Sequence, residues 1–234
     1  MKGKLIVIDG TDGSGKHTQT MLLKENLEKK GFLVKTIDFP QYGLKSAAPT
    51  EEYLNGKYGN ANQVTPYQAS ILYAVDRYAA SFKIKQWLNE GKIVLCDRYV
   101  SANMGHQAGK IDNLDERDKF LDWLFDLEYN IFNIPKPDIN IFLYLDPEIA
   151  RKLAQENKSE KFTNNVKNND IHEKDPEHMK KASESFLYVA KKYDWIKIDC
   201  SSQEKNIKTR NEISVNILKK VITKMDNKWQ KYLI

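Results

Sequence analysis

Nine consecutive residues, Gly10-Thr11-Asp12-Gly13-Ser14-Gly15-Lys16-His17-Thr18, have the types and spacing to hold a polyphosphate. Glycines let a backbone wrap closely around phosphate oxygens, and the N–H groups that open a helix point at the anion. Lys16 is placed to reach the β- and γ-phosphates of a nucleoside triphosphate. The run follows an apolar strand and opens a helical pattern, which separates a phosphate loop from an ordinary glycine turn. One position departs from the pattern. The residue after the lysine is normally Ser or Thr, whose hydroxyl coordinates Mg²⁺, and here it is His17. Imidazole is softer than Mg²⁺ prefers. Either water replaces the hydroxyl or carboxylates hold the ion, because Thr18 would need a shifted loop to substitute.

A second group follows the apolar run Ile93-Val94-Leu95-Cys96. Asp97-Arg98-Tyr99 puts two charges at the carboxyl end of a buried strand, where α/β sheets bind ligands. Asp97 is placed to order magnesium through water and Arg98 can bridge two phosphates; an Asp-Arg pair could instead be a structural salt bridge capping the strand, a reading that weakens beside a phosphate loop. Tyr73 and Arg77 stand four apart on a long helical pattern and share a face. A ring and a guanidinium one turn apart suit a planar base, although the pair by itself is more simply an amphipathic helix with a core Tyr and an Arg paired to Asp76 or a neighbour. Phe39-Pro40-Gln41-Tyr42-Gly43 borders the same sheet edge. Asn103, His106 and Gln107 are polar groups able to read a base or a sugar.

The elements that must position these residues alternate. Lys4–Asp9, Leu33–Asp38, Lys92–Asp97, Ile139–Asp146 and Trp195–Asp199 read as strands, several apolar almost throughout, as in parallel sheets buried on both faces. Helical patterns cover Gly15–Lys30, Pro66–Glu90, Leu114–Phe132, Pro147–Asn157, Pro176–Tyr193 and Ile207–Met225. This alternation predicts an α/β fold with a doubly wound, five-stranded parallel sheet surrounded by helices, organised as one domain over residues 1–234. Ala154–Asp175, rich in Asn and Lys, reads as a lid segment rather than core.

The chain has 234 residues with a net charge of +5, 41% hydrophobic and 29% charged, which excludes disordered and collagen-like classes. No apolar run approaches the ~20 residues of a membrane span. Two cysteines, Cys96 and Cys200, cannot make a disulfide framework, so a reducing, cytoplasmic setting is expected. Only Arg77, Arg98, Arg117, Arg151 and Arg210 are arginines; every other one of the 37 basic residues is lysine. The lysines are interleaved with acids along the chain, which argues against a nucleic-acid partner.

Taken in order and spacing, these motifs resemble the thymidylate kinase family nearly end to end. The resemblance runs through Gly10–Gln19, Phe39–Tyr42, Tyr73–Arg77, Asp97–Tyr99, Ser101–Asn103 and Leu145–Glu148. It implies a P-loop type of fold, ATP as donor with Mg²⁺, dTMP as acceptor, and a homodimer packed through the long helices. It implies that Tyr73 stacks on thymine, Arg77 bonds its O4, and Asn103 reads the pyrimidine edge. Arg98 and Tyr42 would contact the acceptor phosphate, and Phe39 would line its pocket. Asp12 would lie near the sugar 3′-hydroxyl and the metal, Glu173 near the sugar or metal, and Asp199 to Ser202 beside the adenine. Departures from the family pattern are His17, Gln41 in place of a phosphate-binding Arg, and His106 in place of an aromatic ring under the deoxyribose. The family also carries a catalytic Arg in the loop or the lid. Here the loop position is Gly13, and no Arg occurs between Arg151 and Arg210. Arg151 or the lid lysines Lys158, Lys161 and Lys167 are left to supply that charge. The alternatives to a dTMP kinase are a broader deoxynucleoside monophosphate kinase and a non-catalytic nucleotide-binding regulator.

Overall fold

The computed structural model describes residues 2–11, 13–60, 63–150, 176–202, 204 and 206–225. Asp12, Arg151, Glu173 and the expected lid over 154–175, with its three candidate lysines, lie outside the described residues. Among the described residues, one sheet holds five parallel strands: β1 (Lys4–Gly10), β2 (Val34–Asp38), β3 (Ile93–Asp97), β4 (Ile139–Tyr144) and β5 (Ile196–Asp199). They lie in the order β2-β3-β1-β4-β5. Each coincides with an apolar run expected to be a strand, to within two residues at either end.

β1 shows why such runs need no polar alternation. Successive side chains of a strand point to opposite faces, and both faces here are covered. Ile6 and Ile8 pack with Leu23, Leu27, Ile213 and Ile217 on one side. Leu5 and Val7 pack with Ile84, Leu88, Phe120 and Leu124 on the other. The first face is closed by α1 (Lys16–Lys29) and α7 (Arg210–Lys224). The second is closed by α3 (Pro66–Asn89), α4 (Val100–His106) and α5 (Leu114–Phe125). α2 (Ala48–Leu54) packs on α3, and α6 (Pro176–Lys192) packs on α4.

The chain leaves β1 for the first face and leaves β3 for the second. Neighbouring strands whose exits diverge leave a crevice between their carboxyl ends, and ligands of doubly wound sheets bind there. The glycine loop and Asp97-Arg98 are the two exits.

Three boundaries differ from expectation. The pattern over Leu114–Phe132 is helical throughout but not uniformly α: after Phe125, Asp126–Ile131 winds as a π-helix. That segment carries Glu128, whose side chain is fully buried in an ion pair, and the pairing offsets the poorer helical geometry. The last helix begins at Arg210 rather than Ile207, because Thr209 and Glu212 form a reciprocal capping box. The expected helix at Pro147 is present over 147–150, where the described stretch stops. The short helices α2 and α4 carried no periodic signal of their own.

Candidate active site

The loop between β1 and α1 is shaped by its glycines. Gly13 and Gly15 hold φ of +81° and +83°, the left-handed region that costs other residues a Cβ clash. At Gly10 a Cβ would come within 2.5 Å of the Leu143 carbonyl oxygen, so the loop can enter the sheet edge only as glycine. Lys16 is buried and its Nζ donates to the Gly10 and Thr11 carbonyls, both at 3.0 Å. The ammonium is therefore held over the loop mouth by backbone. Gly13, Gly15, Lys16, His17 and Thr18 line an open cleft together with Asp38, Asp97 and Arg98. Thr11 and Ser14 are buried, and their hydroxyl oxygens have no hydrogen-bond partner among the described residues.

His17 extends into solvent, its side chain 80% exposed, with Nδ1 3.7 Å from Asp97 Oδ2. Burial pushes the Asp97 carboxyl up, while Lys16, Arg98 and His17 pull it back. Arg98 adopts φ +66° and its N–H donates to the Ile8 carbonyl at 3.0 Å. A left-handed bulky residue is unusual, and it turns the chain off β3 at the crevice.

An inner cavity adjoins this cleft. Phe39, Tyr73, Arg77, Asn103, His106 and Gln107 are among its walls, and Phe39, Pro40, Tyr42 and Arg98 line both spaces. Arg77 is 1% exposed. Its Nε donates to Glu128 Oε1 at 2.9 Å, and its Nη2 contacts the same oxygen. Nη1 reaches the Tyr99 carbonyl at 3.4 Å and Asn103 Oδ1 at 3.5 Å. Burial alone would lower the Arg77 pKa, but the Glu128 charge and hydrogen bonds outweigh it and hold the guanidinium above its ordinary value. Asn103 and Gln107 are 2% and 1% exposed, and among the described residues Asn103 Nδ2 and Gln107 Oε1 have no partner. A donor and an acceptor left open on a cavity wall fit a ligand with polar edges. Tyr73 is braced by Tyr53 edge-on at 6.2 Å, whose hydroxyl accepts from Lys110 Nζ at 3.0 Å. Burial draws the Lys110 pKa down to about 8.

The candidate residues within the described stretches thus meet around one crevice, with Tyr42 on the rim at 60% exposure. Arg77 does not pair with Asp76. Asp76 instead accepts from the Gln41 backbone at 2.8 Å, Gln41 Nε2 at 3.0 Å and Ser46 Oγ at 2.7 Å. Gln41 is spent on fixing the Phe39–Tyr42 turn against α3. Two residues escaped the sequence reading. Glu128 had no signal beyond being an acid in an apolar helical stretch. Asp9, 1% exposed, accepts from the Gly10 N–H at 2.8 Å and from Ser101 Oγ at 2.7 Å, tying the loop to α4. Its signal was an acid ending an apolar strand just before the glycines. Burial raises its pKa against the Ser101 hydrogen bond and the Lys16 and Arg98 charges.

The donors fit a hard divalent ion in part. Asp97 offers carboxylate oxygens on the cleft wall beside Lys16. Among the described residues no group of three or more His, Cys, Asp or Glu side chains could hold a metal by itself. One carboxylate with water and phosphate oxygens is how Mg²⁺ is commonly held.

The thymidylate kinase family model matches residues 8–211. A thymidylate kinase of Mycobacterium tuberculosis is 33% identical over 148 residues, covering 62% of this chain and 68% of that protein. That of Plasmodium falciparum is 28% identical over 218 residues, covering 93% and 91%. The solved thymidylate kinase of Candida albicans, described as having broad substrate specificity, superposes with a TM-score of 0.71 at 25% identity, covering 95% of this chain and 92% of that one. With the crevice, its two linked cavities and these likenesses together, the chain belongs to the thymidylate kinase family.

Proposed function

We propose that this protein transfers the γ-phosphoryl group of ATP to dTMP, giving ADP and dTDP. The observation that carries this reading is that the cleft at the glycine loop and the cavity around Arg77 share Phe39, Pro40, Tyr42 and Arg98. A triphosphate in one space and a monophosphate in the other meet end to end at Arg98. The attacking phosphate oxygen is already ionised, so no general base is required. What the protein supplies is alignment and positive charge around the transferred group. Gly10 to Thr18 cradle the donor phosphates and Lys16 neutralises charge on them. Arg98 bridges donor and acceptor phosphates with Tyr42 at the rim. Tyr73, Arg77, Asn103 and Gln107 take the base, and His106 with Phe39 bounds the sugar and phosphate side. Asp97, with Asp12 and Glu173, would hold magnesium, which would neutralise charge on the phosphate oxygens. Arg151 or a lid lysine supplies the charge that family members draw from a loop or lid arginine.

A coupled ADP-release assay with dTMP, dUMP, dGMP and dCMP, with and without Mg²⁺, tests the reading. Turnover is expected with dTMP above the others and dependent on magnesium. ATP binding without ADP release in the presence of dTMP would mark the protein as a non-catalytic regulator. A wider acceptor range is favoured by one observation: the polar His106 and Gln107 in the cavity wall. Comparable turnover with dGMP would establish it.

We infer a homodimer from α3. Tyr67, Ile71, Val75, Tyr78 and Phe82 recur every three or four residues and are 39% to 61% exposed. An apolar stripe of that length on one helix face suits a partner helix. Sedimentation should give a dimer that Ile71→Glu with Phe82→Glu converts to monomer; a monomeric wild type would refute it. No described helix is long and apolar enough to cross a membrane. Cys96 and Cys200 are buried free thiols, in keeping with a cytoplasmic enzyme.

A further inference from the structure

Away from the two spaces of the crevice, two further cavities share Tyr129 and Lys136. One, open to solvent, is lined by Lys2, Lys85 and Lys136 with the amides of Asn89 and Asn133, and among the described residues by no carboxylate. None of the three lysines forms an ion pair with a described residue. The other is lined by Phe125, Tyr129, Tyr193 and Trp195 with Asn140 and Ser101. Lys136 stands between them, its Nζ 4.4 Å from the Phe125 ring centroid and 5.5 Å from that of Tyr129. Ammonium groups without counter-charge attract phosphates, and aromatic walls accept a planar ring. Asp122 and Asp126 border the aromatic end, in a space that shares Phe125 and Tyr193 with it. The charge gradient therefore has a direction, with phosphates favoured at the Lys2 and Lys85 end and the ring at the Phe125 end.

We propose that this face binds a nucleoside polyphosphate as an effector, separate from the donor and acceptor spaces. Two contacts join it to them. Ser101 lines the aromatic cavity and donates to Asp9, which holds the first N–H of the glycine loop. Tyr129 forms a wall, and its chain neighbour Glu128 carries the Arg77 guanidinium. An occupant pressing on Tyr129 acts on Glu128 and thereby on the dTMP pocket, so its effect falls on the KM for dTMP more than on kcat. The regulatory part rests on the kinase reading above; the binding part does not.

The test follows the Trp195 indole resonance by NMR in the full-length protein with ADP and dTMP saturating, Trp195→Phe supplying the assignment. ATP, dTTP, inorganic tripolyphosphate and thymidine are titrated in turn. ATP or dTTP should shift the resonance more tightly than tripolyphosphate, and thymidine should not bind. The triple charge reversal Lys2→Glu, Lys85→Glu, Lys136→Glu should weaken the binding at least about tenfold, because hydrogen bonds to charged groups are the strong ones. It should leave kcat for ADP release at saturating dTMP unchanged. A resonance unmoved by either nucleotide, or an affinity untouched by charge reversal, overturns the site. Equal binding of tripolyphosphate and the nucleotides overturns the role of the aromatic end. Binding that leaves the KM for dTMP unchanged overturns the effector role. Loss of ADP release in the unmodified protein would instead refute the kinase reading while leaving the Trp195 result standing.

Discussion

The two halves of the crevice are built on different principles. The donor half is a backbone device: its shape comes from left-handed glycines within a few residues of one another, and His17 on its rim is mostly in solvent. The acceptor half is a side-chain device. Arg77, Asn103 and Gln107 are almost fully buried, and Arg77 is held by a carboxylate 51 positions away in sequence. A phosphate is recognised by many interchangeable N–H groups, so a flexible open loop suffices. A base edge is discriminated only if each polar group is fixed in advance, because a misplaced one leaves a buried group unpaired.

The sharpest way to break this contrast is Glu128→Gln. It leaves the Arg77 cation buried without its counter-charge, and breaking such a pair costs about 3–5 kcal/mol. Urea denaturation should show that loss, and the KM for dTMP should rise while that for ATP stays near the wild-type value. Unchanged stability would mean that the acceptor half is not held by the pair. Next in size, Lys16→Met should lower kcat roughly 10²–10³-fold, the scale seen when one transition-state donor is removed. Its melting temperature should stay near that of the wild type; unfolding would show that the lysine serves mainly to hold the loop carbonyls. Asn103→Ala should cost about tenfold in KM for dTMP, the worth of one buried hydrogen bond, with ATP affinity unaffected.

The smallest expected effect concerns Asp9, where the halves join. Its pKa is raised by burial from the ordinary 3.8. Between the unfolded value and the raised folded value the native state binds more protons, so the Asp9 contribution to stability falls as pH rises through that window. Asp9→Asn keeps an acceptor for the Gly10 N–H and removes the titration. Melting curves from pH 4 to 7 should show the variant gaining on the wild type as pH increases. Parallel curves would place Asp9 in an environment that does not penalise its charge.

Much of this was legible in the chain. The strands showed because a parallel sheet covered on both faces needs unbroken apolar runs, and the phosphate loop showed because its function is local in sequence. Tyr73 and Arg77 were visible as a pair one helical turn apart. Invisible were the partners: Glu128 for Arg77, Ser101 for Asp9, and Gln41 with Ser46 for Asp76. Each links separate elements, and nothing in composition or period marks which distant polar group will meet a buried charge. The short α4 was likewise unreadable, since seven residues give too few turns for a periodic signal.

The layered α/β architecture and the donor loop follow from local order along the chain, because apolar patterning and glycine backbone freedom are properties of neighbouring residues. Which charges are buried, and how each is satisfied, is settled by three-dimensional packing. A guanidinium or carboxylate is tolerated inside a protein only where the fold delivers its counterpart, and here that delivery depends on the crossing of α3, α4 and the π-helical segment after α5.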